Sequence, residues 1–183
     1  MNTPTVRLAI PRAKITARTQ QEARAIVDQS PLIATLQRYA PLAGRGLLSL
    51  IFLLSAAGKV ANFSGTEQFM ASKNMPLVPF FLVMAILFES LGGLSVLLGY
   101  KARIGALALI VFLIPATLIF HNFWDYQGME QQMQMINFLK NAAIMGGLTL
   151  LLAYGAGALS LDGRRTASPQ SRGGTQSFAE KAE

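Results

Sequence analysis

The chain has 183 residues, 52% of them hydrophobic and 14% charged, with a net charge of +7 and no cysteine. That length suits one soluble domain, but a mean hydropathy of +0.40 argues against one. Without cysteine the chain makes no disulfide, offers no thiolate to a metal or haem, and runs no dithiol chemistry of its own.

Residues 1–40 read as a basic cytoplasmic tail. They contain no apolar core followed by a small-residue cleavage site, so a cleaved secretory signal is not expected. The Arg-rich, acid-poor start "TVRLAIPRAKITARTQQEARAIV" resembles a mitochondrial presequence in composition. We read it as a tail with an amphipathic helix near Thr16–Val27 on the membrane surface.

Four apolar blocks come next, with spans expected at about 44–63, 77–98, 103–121 and 136–156. Each is near the ~20 residues that cross the hydrocarbon core of a bilayer. "RIGALALIVFLIPATLIF" has no polar face over its whole length, whereas the helices of a soluble bundle keep one. The expected fold is all-α: a polytopic four-transmembrane-helix bundle over residues 41–162, with a disordered cytoplasmic tail at 163–183, where the sequence turns polar and rich in Ser, Gly and Gln.

Spans two and three are joined by the tight "GYKAR" turn, and the other two connections, 62–76 and 122–135, are longer. Trp124 and Tyr126 in the last of these fit an interfacial aromatic anchor. Met129, Met133 and Met135, with no cysteine and one nearby histidine, fit the flexible start of an amphipathic helix better than a soft-metal site. Thirteen Lys and Arg fall on the side of the two tails and the GYKAR turn, against Lys59, Lys73 and Lys140 on the other. That asymmetry predicts both termini in the cytoplasm of a multi-pass bacterial inner-membrane protein. It also explains the basic balance by anionic lipid, so the bilayer is the expected partner and nucleic acid is not.

Charged or ionisable residues at membrane depth are expensive and tend to face the bundle interior. The candidates are Arg45, Lys59, Glu89, His121 and Lys140. Glu89 lies 12 residues after Leu77, or ~18 Å down its span, close to the midplane. Helical side chains lean toward their own N-terminus, so Lys59 and His121 lean inward while Glu89 leans up to meet them. A Glu89–Lys59 pair with His121 nearby is therefore expected. Lys140, taken as one turn into span four, leans away with Asn137 and Asn141 on its face, and Arg45 snorkels to lipid phosphate at the inner edge. Two readings stay open: an internal latch with no substrate, and a polar pocket that binds or protonates a small molecule. Pro115 fits the pocket, since a proline in span three frees a backbone carbonyl. Gly92, Gly93, Ala142, Ala143, Gly146 and Gly147 fit close helix packing. No glycine-rich phosphate loop or paired-histidine motif is present, and no metal is expected.

Taken together, "GRGLLSLIFLLSAAGKVANF", "LFESLGGLSVLLGYKAR", "HNFW" and "NFLKNAAIMGGLTLLLAYGAGALSLD" resemble the DoxX family of small four-helix bacterial inner-membrane proteins. The resemblance runs from about Arg45 to Asp162 and rests on Arg45, Lys59, Glu89 with Gly92 and Gly93, Gly99 with Arg103, His121, and Gly155, Gly157, Ser160 and Asp162. It implies a link to redox chemistry: members are often labelled oxidoreductases, and relatives include a subunit of a thiosulfate:quinone oxidoreductase. For a chain without cysteine this means at most binding quinone or docking a redox partner. A small-solute or proton transporter and a non-catalytic scaffold are the alternatives.

Overall fold

The computed structural model describes residues 30–166 together with Thr19. The chain divides after Tyr39 into two units, and the bundle belongs to the one that begins at Ala40. In chain order the helices are α1 Pro31–Ala61, α2 Phe63–Ala71, α3 Val78–Leu98, α4 Ala102–Phe120, α5 Gly128–Tyr154 and α6 Leu161–Thr166, with a 3-10 turn Phe123–Asp125 between α4 and α5. The described residues contain no strand.

Local sequence sets most of these boundaries. Pro79 near the start of α3 has the fixed φ that suits a first turn, and Gly99 ends the helix at φ +63. The N–H groups of Gly99 and Tyr100 return to Val96 O and Ser95 O, closing the last turn. Gly128 at φ +61 opens α5 and Gly155 at φ +83 closes it.

α1, α3, α4 with the turn to Asp125, and α5 are each long and apolar enough to cross a bilayer. Their outward faces carry Leu47, Leu54, Phe80, Leu91, Ile104, Val111 and Leu150, all exposed. So continuous an apolar perimeter suits lipid and not water. The chain is an all-α polytopic membrane protein.

The buried positions recur at steps of three and four: Arg45, Ser49, Phe52 and Ala56 on α1, Val78, Leu82, Ala85, Glu89, Gly92 and Val96 on α3, and Ala102, Gly105, Leu109, Leu113 and Thr117 on α4. This is the spacing of helices packed at a small left-handed angle. Glu89 is on the buried stripe because the stripe passes through it. Gly93 and Gly92 let α3 approach both neighbours: a Cβ at Gly93 meets Leu53 of α1 at 3.0 Å, and one at Gly92 meets Leu109 of α4 at 2.7 Å.

The structure differs from the sequence reading at several boundaries. α1 begins at Pro31, so the last ten residues of the expected tail are helical. The connection 62–76 contains α2, and α5 starts at Gly128, which makes the Met-rich stretch its first turns. α6 takes in 163–166, the start of the expected disordered tail. The expected surface helix near Thr16–Val27 (Thr19 apart) and residues 167–183 lie outside the described residues. Of the small residues on span four, Gly147 faces Leu48, where a Cβ would lie 3.2 Å from it, whereas Ala142, Ala143 and Gly146 are exposed.

One end of the bundle is closed by the segment after α5. The Asp162 carboxylate accepts hydrogen bonds from Lys101 N at 2.9 Å and Ala102 N at 3.0 Å, capping α4 from 60 residues away. Asp162 N returns to Gly99 O at 2.8 Å. Arg103 Nη2 donates to Ala153 O at 3.2 Å near the end of α5. Gly157, at φ +78, lies where a Cβ would be 2.7 Å from Pro41. Arg45 does not snorkel: it is 2% exposed and its Nη2 donates to Leu159 O at 2.6 Å. The reason is register, since Arg45 opens the buried stripe of α1 and meets the returning chain there.

Gly99 is the tightest point of this clasp. A Cβ there would lie 1.8 Å from Arg45 Nη1 and 2.4 Å from Ser160 Cβ, in a left-handed backbone that itself costs a side chain about 1–2 kcal/mol. Gly99→Val should therefore destabilise the protein by about 2 kcal/mol or more. Gly146→Ala, with nothing within 4 Å of its Cβ, should gain about 0.5–1 kcal/mol. Thermal unfolding of both variants in detergent checks the contrast; equal transitions would contradict it.

Candidate functional site

The site is built from the far end of α1, the middle of α3, the ends of α2 and α4, and the middle of α5. They enclose a cavity of about 330 Å3, whose walls combine apolar residues (Phe52, Phe69, Phe112, Phe120, Ile144) with Ser55, Lys59, Thr66, Glu89, His121, Lys140 and Asn141. That volume is at the small end of ligand pockets.

Glu89 is 4% exposed. Lys59 Nζ stands 2.9 Å from each of its carboxylate oxygens and donates also to Ser55 Oγ at 2.6 Å, while Ser55 Oγ donates to Glu89 Oε1 at 3.0 Å. The three side chains form a closed ring in which the charges cancel and the ammonium has a partner for each of its three protons. Helix register brings them together. From Arg45 to Lys59 is 14 residues, about 21 Å, while from Glu89 to Gly99 is 10 residues, about 15 Å. The remaining ~6 Å is bridged by the lysine stem, which leans toward its own N-terminus.

His121 does not join this ring. Its Nδ1 lies 2.9 Å from Gln134 Oε1 across the turn to α5, although the residue lines the cavity. Asn141 is buried and donates to Thr117 Oγ1 at 3.1 Å, tying α5 to α4. Lys140 donates to Asn137 Oδ1 at 2.9 Å, one turn toward its N-terminus. Because α5 begins at Gly128, Lys140 is 12 residues into the helix and not one turn, about 18 Å from its start. Pro115 is exposed and does not line the cavity, but Phe112, Leu113 and Ala116 around it do.

Sequence reasoning passes over Ser55, Thr117, Gln134 and the whole contribution of α2. Ser55 carries a signal, being four residues before Lys59 on the same face. Thr66, Phe69 and Met70 of α2 cover the cavity, and α2 is held by Met70 against Val78 and Leu82 and by Phe69 stacked on Phe120 at 5.6 Å. Beyond it, Lys73 is hydrogen-bonded to the Tyr126 hydroxyl. Trp124 is exposed beside Phe138, at 6.2 Å between ring centres. Arg45, Arg103, Gly155, Gly157 and Asp162 lie in the clasp at the opposite end, while Gly92 and Gly93 are with Glu89 in the middle of α3.

Fold and site thus define a four-span membrane bundle with an ion pair between its first and second spans. The chain belongs to the DoxX family, whose profile matches residues 40–122. It is 35% identical over 123 residues to Inner membrane protein YphA of Escherichia coli K12, covering 67% of this chain and 88% of that one. Inner membrane protein YqjF of the same organism is 32% identical over 127 residues, covering 69% and 92%. ER-derived vesicles protein ERV29 of Saccharomyces cerevisiae is 28% identical over 80 residues, 44% of this chain and 26% of that protein. No solved structure matches the chain.

Removing one member of a buried ion pair strands the other, at about 3–5 kcal/mol, whereas replacing both with apolar groups is close to neutral. Lys59→Met should destabilise by that amount, and Lys59→Met with Glu89→Leu should recover most of it. Reversible unfolding in mixed micelles measures the cycle, and additive losses in the double variant would show that the two groups are not coupled.

Proposed function

We propose that this protein is an inner-membrane subunit of a redox-linked complex and that its cavity holds the head of a quinone. The observation that carries the reading is the division of labour inside the cavity. The Lys59–Glu89–Ser55 ring satisfies itself, while Lys140, an exposed residue that lines the cavity, gives one of its three donors to Asn137 and keeps two for a ligand. A flat ring bearing carbonyl oxygens fits between apolar walls and such a donor. His121 also lines the cavity. With Gln134 Oε1 accepting from Nδ1–H, a neutral imidazole keeps an acceptor at Nε2. A bound quinone would supply two-electron, two-proton chemistry. The chain's own part is to place the ring, exclude bulk water under α2 and hold a donor against a carbonyl oxygen.

The transporter alternative needs polar groups continuing through the bundle. Between Lys140 and Arg45 the facing walls are instead Leu48, Ile51, Ile144 and Leu151, which favours binding over permeation. The inner-membrane placement is supported by the names of YphA and YqjF. Termini in the cytoplasm are supported by the thirteen basic residues that share their side.

Lys140→Met should weaken binding of a side-chain-free dimethoxy-methyl-benzoquinone about tenfold or more, the worth of a hydrogen bond from a charged donor. Ser55→Ala should leave binding in place. Equilibrium binding to the purified protein in nanodiscs tests this, and equal affinities for wild type and Lys140→Met would remove the reading. Independently, a fluorescent protein fused after Glu183 should fluoresce and alkaline phosphatase fused there should be inactive; the reverse pattern would invert the topology.

A further inference from the structure

A second cavity, about 670 Å3, adjoins the first, walled by Gly44, Leu47 and Leu48 of α1 and by Gly147, Leu150 and Leu151 of α5. Ile51, Lys140 and Ile144 belong to the walls of both, so the polar cavity passes into an apolar groove at the level of Lys140. The groove follows α1 from Ala40 to Ile51, about 16 Å. Glycine makes the room: a Cβ at Gly44 would meet nothing within 4 Å. At the far end Arg45 is turned to the Leu159 carbonyl, with Nε and Nη1 fully buried.

We propose that this groove is the tail compartment of the same site. One molecule occupies both, its acceptor head at Lys140 and its long apolar chain lying between α1 and α5 toward the Arg45 end. The proposal rests on the quinone reading above and adds that the protein selects long-chained members of the class. Polarity along the groove argues for this occupant over a bilayer phospholipid. A phospholipid sets its headgroup at the membrane face, so its chain would end at Lys140 and leave the ammonium against methyl groups. A head-and-tail molecule with its acceptor in the middle of the bundle puts oxygen where the donor is and hydrocarbon where the leucines are.

The test compares two quinones on two proteins in nanodiscs of one lipid composition: the side-chain-free dimethoxy-methyl-benzoquinone and the same ring carrying a decyl chain, on wild type and Gly44→Phe. Partitioning into the bilayer is the same for both proteins and cancels in the ratio. Gly44→Phe should leave the short ligand's affinity unchanged and lower the decyl ligand's about tenfold, the scale of a few methylenes returned to competition with lipid. Leu150→Trp fills the groove from the α5 side and should act alike if Gly44→Phe does not fold. An undiminished decyl affinity in the filled variants overturns the proposal, and so does an equal fall for both ligands. Failure of the short ligand to bind wild type removes the head site itself, which is a different result from a head site that binds without regard to the tail.

Discussion

The bundle depends on one contact that no single helix can provide: the Lys59 ammonium placed on the Glu89 carboxylate at 2.9 Å. A carboxylate halfway along a span has no water to turn to, and the bilayer gives it no other partner. Meeting it requires α1 and α3 to be close, in register and facing each other at that height. Close approach comes from Gly93 against Leu53, facing from the shared three-and-four spacing, and height from the lean of the lysine stem. Each condition is met by a different part of the sequence, so the pair reports that all of them hold together.

Register at the other end is fixed separately. The segment from Gly155 to Asp162 returns across the bundle, gives its Leu159 carbonyl to Arg45 and its Asp162 carboxylate to the first turn of α4. α1 is thus pinned twice, 14 residues apart, by a buried arginine and a half-buried lysine. Between the pins Phe52 of α1 packs with Leu148 and Leu151 of α5, and both cavities open beside that contact. A helix held at two points keeps its place while leaving room for a guest alongside.

Much of this is legible in the residues. Hydrophobic length and the missing polar faces are enough for four spans, because the exterior is as apolar as the interior. Helix direction is enough to choose Lys59 over Lys140 as the partner of Glu89. Arg45 misleads because a basic residue at a span's edge looks the same whether it reaches out to phosphate or in to a carbonyl. Only the returning Leu159, 114 positions away, distinguishes the two. The start of α5 is missed because Gln131, Gln132 and Gln134 hide two turns of helix before Lys140 from a hydropathy pattern. α2 escapes notice for the same reason: it is nine residues long and mixes Ser, Thr, Glu and Gln with the Phe69 and Met70 that cover the cavity.

The most direct test of the central contact is the charge on Glu89. Infrared difference spectra between wild type and Glu89→Gln in lipid at neutral pH show which band the substitution removes. An ion pair predicts loss of a carboxylate stretch, displaced in position when Lys59 is replaced by Met. Loss of the carbonyl stretch of a protonated acid, unchanged in Lys59→Met, would mean that the acid is neutral and that no ion pair joins the first and second spans.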